Sequence, residues 1–384
     1  MCGTPSSGCD SIVRRERGRT VIKLVVSDLH LGAGSSPGRF NPLEDFHYDH
    51  HFRDFLAHYS GGDFSDRPVE LILAGDMLDL LKIEVDGSHP DQITEEVALY
   101  KLARCLEGHP VAVKALREFL AAPERRITYM MGNHDLEIAF PRVQELLRSA
   151  VEGPNHRNRL HYVVYEPYYD LPGGVRIYHG NQFEALNRVN PRKLFITEGV
   201  LAPYLNLPWG SVFLLKILMP FKEKRPYITE VQPFSRYLQA AMFTDTAFAV
   251  PMAVKVFYYF VKTRFMESHR RAGDLRNTLR ILLEESAIQI DFESQAFEIM
   301  RKEPALNVVI MGHSHVPMVR RGPRDRLYVN TGSWTKLINL SLPELGVTHH
   351  RTYARVDYDE DLDRPRVGLY QWHGHQEISE EIQY

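Results

Sequence analysis

The chain has 384 residues, 44% of them hydrophobic and 25% charged, with a net charge of −3. This is globular composition, enough for one large core or two domains, and it excludes the strongly basic balance that marks a nucleic-acid binder. Cys2, Cys9 and Cys105 form no CxxC pair and no disulfide framework, which fits a reducing, cytoplasmic setting.

Residues 1–20, "MCGTPSSGCDSIVRRERGRT", read as a flexible, basic-ended tail with no signal peptide. Short apolar runs follow that read as buried strands. They are "VIKLVV" (21–26), "VELILA" (69–74), "ITYMM" (127–131), "VRIY" (175–178), "LNVVIM" (306–311) and "LYVN" (327–330). Each stops at a polar cluster: Asp28 and His30, Gly75-Asp76, Gly132-Asn133-His134-Asp135, His179-Gly180, His313 and His315, or Thr331-Gly332. Helical spacing appears at 45–59 and 111–122. Strands alternating with helices predict an α/β sheet whose ligands collect beyond the carboxyl ends of the strands.

The stretch 185–300 is helix-like and aromatic and reads as an inserted helical cap. Its most apolar run, "AFAVPMAVKVFYYFV" (247–261), carries Pro251 and Lys255 and falls short of the ~18–20 residues a spanning helix needs. "RTYARVDY" (351–358) and "RVGLYQWHG" (366–374) alternate around an acidic turn and predict a terminal hairpin. The expected organisation is a tail at 1–20, a catalytic domain at 21–184 and 301–384, and the cap at 185–300.

Oxygen and imidazole donors without thiolate suit Mn²⁺, Fe or Zn²⁺. Positions i and i+2 of an extended segment face the same way, so Asp28/His30 and His313/His315 each point into one pocket. These residues predict two metal nests. Asp28, His30 and His315 hold one ion, Asn133, His179 and His313 hold a second, and Asp76 bridges both.

The ordered set "SDLHLG", "AGDMLD", "GNHD", "YHGN", "GHSH" resembles the calcineurin-like metallophosphoesterase superfamily, over residues 21–184 and 301–340. The resemblance implies a four-layer α/β/β/α sandwich with two divalent ions, Mn²⁺ foremost. It implies phosphoester hydrolysis by a metal-bridging hydroxide, with His134 as catalytic histidine and Asp135 as the residue that orients it. General acid help of that kind contributes about 10²–10⁴ in rate. "GDMLDL", "NTGSW" (330–334) and the helical insertion are similar to the UDP-2,3-diacylglucosamine pyrophosphatase branch, although "HGNQFE" carries Asn181 where an Asp is common. A phosphodiester or pyrophosphate substrate, lipid-linked or a sugar nucleotide, is expected. A soluble nucleotide or cyclic-nucleotide phosphodiesterase, a nuclease of the same superfamily and a non-enzymatic scaffold are the alternatives, the nuclease disfavoured by the net charge and the lack of an aromatic-plus-basic stripe.

Four further features stay open on sequence alone. Asp79 suits a supporting position beside the metals or a helix start. Arg320, Arg321 and Arg324, in "RRGPRDR", suit a solvated turn or a cationic rim for phosphate. The cap helices suit packing on the core, an acyl slot, or peripheral contact with membrane lipid at the inner membrane face. His47, His50, His51, His58 and the pairs at 349–350 and 373–375 suit solvated positions.

Overall fold

The structure is a computed structural model describing residues 20–35, 40–153, 158–222, 224–232, 234–265, 291–340, 345–359, 364–374 and 380–381. Cys2, Cys9, nearly all of the tail, the basic pair at 270–271, His375 and most of the hairpin turn lie outside the described residues.

Four parallel strands, β1 (Val21–Val26), β2 (Val69–Ala74), β3 (Arg125–Met130) and β4 (Leu160–Val163), lie side by side. The antiparallel pair β5 (Tyr169–Leu171) and β6 (Val175–Ile177) begins a second sheet. β7 (Phe195–Ile196) and β8 (Tyr204–Leu205) pair with each other, and β9 (Val231–Gln232) follows. β10 (Val308–Met311), β11 (Met318–Arg321) and β12 (Leu327–Asn330) complete the second sheet in the order β11-β12-β10-β6-β5. β13 (Leu337–Asn339) lies between β9 and β14 (Gly346–Thr348). β15 (Thr352–Tyr358), β16 (Arg366–Gln371) and β17 (Glu380–Glu381) extend the first sheet to the order β17-β16-β15-β1-β2-β3-β4. The terminal hairpin is present, with Asp357 opposite Arg366.

Strand side chains alternate between faces with period two. On β1, Val21 and Val25 join a core with Ile177, Ile310 and Val329 of the second sheet, so the two sheets pack face to face. Ile22, Leu24 and Val26 face the other way, against Phe52, Phe55, Leu116 and Leu147. Those come from helices Asp49–His58, Pro110–Ala121 and Pro141–Val151, joined by Glu95–Gly108. On β10, Val309 and Met311 turn outward onto Ala296 and Met300 of helix Phe292–Lys302. Burial of each such large apolar side chain contributes roughly 1.5–3 kcal/mol before entropy is counted.

The first helix starts at Asp49, four residues later than its periodicity suggests. The Glu44 carboxylate accepts from the backbone N–H groups of Gly32, Gly34 and Phe46, and Asp45 accepts from two lysines. Those bonds hold 44–45 in a loop. Residues 185–300 contain helices at Trp209–Phe213, Met219–Lys222, Phe234–Thr244 and Thr246–Phe265, with a π-helical turn at Leu214–Leu218. They also contain β7, β8 and β9, which helical periodicity did not reveal. Among the described residues, no helix is long and apolar enough to cross a membrane.

Candidate metal centre

The strands deliver their polar residues through sharp turns. Asp28, His30, Asp76, His313 and His315 all have φ between 51° and 66°. Non-glycine residues seldom occupy this left-handed region, and strain of that kind concentrates at functional sites. Two glycines permit the close packing. A Cβ on Gly132 would overlap the Asp76 carboxylate, and one on Gly312 would overlap Ser27 and Asp28.

Among the described residues, donor atoms converge in three nearby groups, Asp28/His30/His315, Asp76/His179/His313 and His30/Asp79/His134, each with ligand atoms within 4.8 Å of one another; the first two are the predicted nests. In the first, His30 Nε2 stands 3.1 Å from His315 Nε2, and Asp28 Oδ1 stands 3.3 Å from His315 Nε2. In the second, His179 Nε2 lies 3.1 Å from Asp76 Oδ2 and 3.2 Å from Asn133 Oδ1. His179 Nδ1 donates to the Ala74 carbonyl at 2.9 Å, so its Nε2 lone pair is free to ligate. His313 directs Nε2 at Glu184, leaving Nδ1 for a metal.

Each aspartate has one anchored oxygen and one bare one. Asp28 Oδ2 accepts from the Ser27 hydroxyl and from His313 N–H at 2.9 Å. Asp76 Oδ1 accepts from His134 N–H at 2.8 Å. Asp28 Oδ1 and Asp76 Oδ2 are buried and, among the described residues, accept no hydrogen bond. Buried carboxylate oxygens are costly to leave unmatched. Both bare oxygens point at imidazole nitrogens that offer lone pairs once deprotonated, so the donor set fits divalent cations.

Burial opposes charge on His30, but Asp28 and Asp79 outweigh it and push its pKa up to about 10. Burial likewise opposes charge on His179, and Asp76 pushes it up to about 9. Burial favours a neutral Asp28, yet His315 and His30 hold it well below the usual carboxylate range. These histidine protons compete with metal for the same lone pairs, so metal binding releases protons.

His134 is about one-fifth exposed and lines a cavity of about 930 Å³. Its Nδ1 pairs with Asp79 Oδ1 at 3.0 Å, while Asp79 Oδ2 pairs with His30 Nδ1 at 3.2 Å and with the Lys82 ammonium. Asp79 is therefore the residue that orients His134, and the expectation that Asp135 does so is corrected. Asp135 accepts from Gly132 N–H (2.6 Å), Met77 N–H (3.1 Å) and the Tyr129 hydroxyl (2.7 Å), which shapes the turn. Burial, then the charge of Asp76, raises its pKa to about 7.

The cavity runs from His30, Asn133, His134 and His315 to an apolar wall that includes Trp209, Phe213, Leu214, Leu218, Met252 and Val256. Arg320, Arg321 and Arg324 do not line it. Arg320 pairs with Glu293 at 3.4 Å, and Arg321 and Arg324 are exposed at the edge of the second sheet. Sequence reasoning missed Glu184, which has no fixed spacing from His313, and the lysines that neutralise Asp79 and Asp45.

No family model matches the chain, and no curated protein sequence matches it. Among solved structures, it is similar to a dimetal phosphatase from Danio rerio at 10% identity, covering 95% of this chain and 99% of that one with a TM-score of 0.37. It is similar to a predicted phosphoesterase from Streptococcus pneumoniae at 12% identity, covering 94% and 97% with a TM-score of 0.26. A zinc-complexed Vps29 from Entamoeba histolytica matches at 14% identity over 22% of this chain and 44% of that one, with a TM-score of 0.17.

Proposed function

We propose that the chain is a dinuclear divalent-metal phosphoesterase acting on a phosphodiester or pyrophosphate whose apolar portion lies in the cavity. The observation that carries this reading is the pair of buried carboxylate oxygens, Asp28 Oδ1 and Asp76 Oδ2, that accept no hydrogen bond among the described residues and face clustered imidazole nitrogens. Asp28, His30 and His315 would hold one ion, and Asn133, His179 and His313 the other, with Asp76 as bridge. Two divalent ions would supply Lewis-acid stabilisation of phosphoryl charge and an activated water.

The protein's own groups do the rest. Asn133 contributes a neutral donor and adds no negative charge near phosphate. The backbone N–H groups of His134 and His313 fix one oxygen of each aspartate, which aims the other inward. Asp79 turns the His134 ring so that Nε2 is left for the cavity, where it donates to the leaving oxygen. Three apolar cores, one between the sheets and one on each outer face, support the four-layer α/β/β/α arrangement in this reading. Manganese is the metal of choice in this reading, with iron or zinc accepting the same donors.

The apolar cavity wall favours an acyl or similar tail, as in a diacyl sugar nucleotide, over a free nucleotide. A second observation favours contact with membrane lipid. Val250, Val254, Phe257 and Tyr258 are exposed along one side of helix Thr246–Phe265, which also carries Lys255 and Lys262. That pattern suits a helix resting on anionic headgroups. The test uses chelator-stripped protein reloaded with Mn²⁺, Fe²⁺ or Zn²⁺ and offered an aryl phosphodiester and a diacyl sugar nucleotide. Metal-dependent hydrolysis of both, faster for the acylated substrate, is expected. A chain carrying two ions that cleaves neither contradicts the assignment.

A further inference from the structure

A chain of buried charges runs from the cap stretch to the catalytic histidine. Lys222 ends the short helix Met219–Lys222 and is fully buried. Its ammonium donates to Asp45 Oδ1 and to the Thr229 hydroxyl, both at 2.5 Å. Asp45 Oδ2 accepts from Lys82 at 2.5 Å. Lys82 is shared with Asp79 Oδ2, and Asp79 Oδ1 takes His134 Nδ1 at 3.0 Å. Asp45, Lys82 and Thr229 also line the cavity.

Buried ion pairs are poor stabilisers, because desolvation consumes most of their attraction and apolar replacements often do as well. Two buried lysines and two buried aspartates in series are therefore weakly explained by stability. Their value lies in geometry. Lys82 draws Asp79 Oδ2 away from His134, which leaves Oδ1 alone to set the ring. Without Lys82, His30 is the remaining anchor of Asp79 Oδ2 among the described residues.

We propose that Lys222, Asp45 and Lys82 are positioning residues that fix the His134 ring through Asp79 and tie its orientation to the seating of the cap stretch. This rests on the role assigned to His134 above. A misplacement of about 1 Å at a catalytic group costs on the order of 10²-fold in rate, and a loosened ring falls within that range.

The test compares Lys222→Met and Asp45→Asn with Lys216→Met, which breaks a neighbouring ion pair to Asp91 outside the chain. In histidine-labelled protein, the His134 ring ¹⁵N resonances are expected to move in the first two variants and stay in place in the third. That readout stands whether or not the protein turns over any ester. With a small aryl phosphodiester, which leaves the apolar wall empty, kcat falls about 10-fold or more, with KM and metal content unchanged. In a His134→Ala background the same substitutions have no further effect on kcat, because their target is gone. Unmoved His134 resonances in Lys222→Met and Asp45→Asn overturn the proposal, as does an equal loss in the presence and absence of His134. If the wild type hydrolyses nothing while the resonances move, the functional reading fails and the positioning chain stands.

Discussion

Asp79→Asn separates the structural assignment from the motif-based one. In the wild type, among the described residues, Oδ2 takes two donors, Lys82 and His30, while Oδ1 takes only His134. An asparagine therefore keeps its oxygen toward Lys82 and presents its NH₂ to His134 Nδ1. Two N–H groups then face each other in a largely buried site, and the ring must rotate or take the other tautomer. The loss is one charge-assisted hydrogen bond, about 1.5–3 kcal/mol. At about 1.4 kcal/mol per tenfold in rate, kcat drops roughly 10- to 100-fold. Asp135→Asn instead removes an acceptor shared by Gly132, Met77 and Tyr129, so it lowers stability by about 1–3 kcal/mol. The assay is steady-state hydrolysis of an aryl phosphodiester at matched metal content, with thermal melts alongside. Near wild-type kcat in Asp79→Asn, or a greater kcat loss in Asp135→Asn, refutes the reasoning.

Three other outcomes follow from the site and its surroundings. His134→Ala keeps both metals by mass spectrometry and loses about 10²–10⁴ in kcat; retained turnover removes the histidine from the mechanism. Asp76→Ala loses bound metal as well as activity, and full metal occupancy in that variant refutes the bridge. His109 is buried between Asp49 and Glu44; burial lowers its pKa, but the two carboxylates prevail and push it up to about 9 from an ordinary 6.5. Its stabilisation is complete below about pH 6.5 and is lost as pH rises through about 9, up to about 3 kcal/mol. Urea unfolding at both ends of that window shows the loss in the wild type and a flatter profile in His109→Gln.

Much of the strand framework was legible because buried strands are short apolar runs with abrupt polar ends. β1, β2 and β12 begin and end where their patterns do. The clustering of donor side chains was legible because metal-capable residues follow those ends at i, i+2 spacing. Three things were not. Asp79 and Asp135 both lie near His134 in motif order, and only the folded turn decides which carboxylate reaches the ring. The interior pairs Lys82–Asp45 and Lys222–Asp45 span 37 and 177 positions, so local patterning carries no trace of them. β7, β8 and β9 are two-residue strands set by tertiary pairing, as Ile338 opposite Val231 shows, and are too short for a periodic signal.

The most direct test of two cations sharing Asp76 is anomalous diffraction from crystals grown with Mn²⁺. The account predicts two peaks roughly 3.5–4 Å apart, one beside Asp28, His30 and His315, the other beside Asn133, His179 and His313, with the Asp76 carboxylate touching both. A single peak, or two peaks with Asp76 bound to one alone, contradicts it.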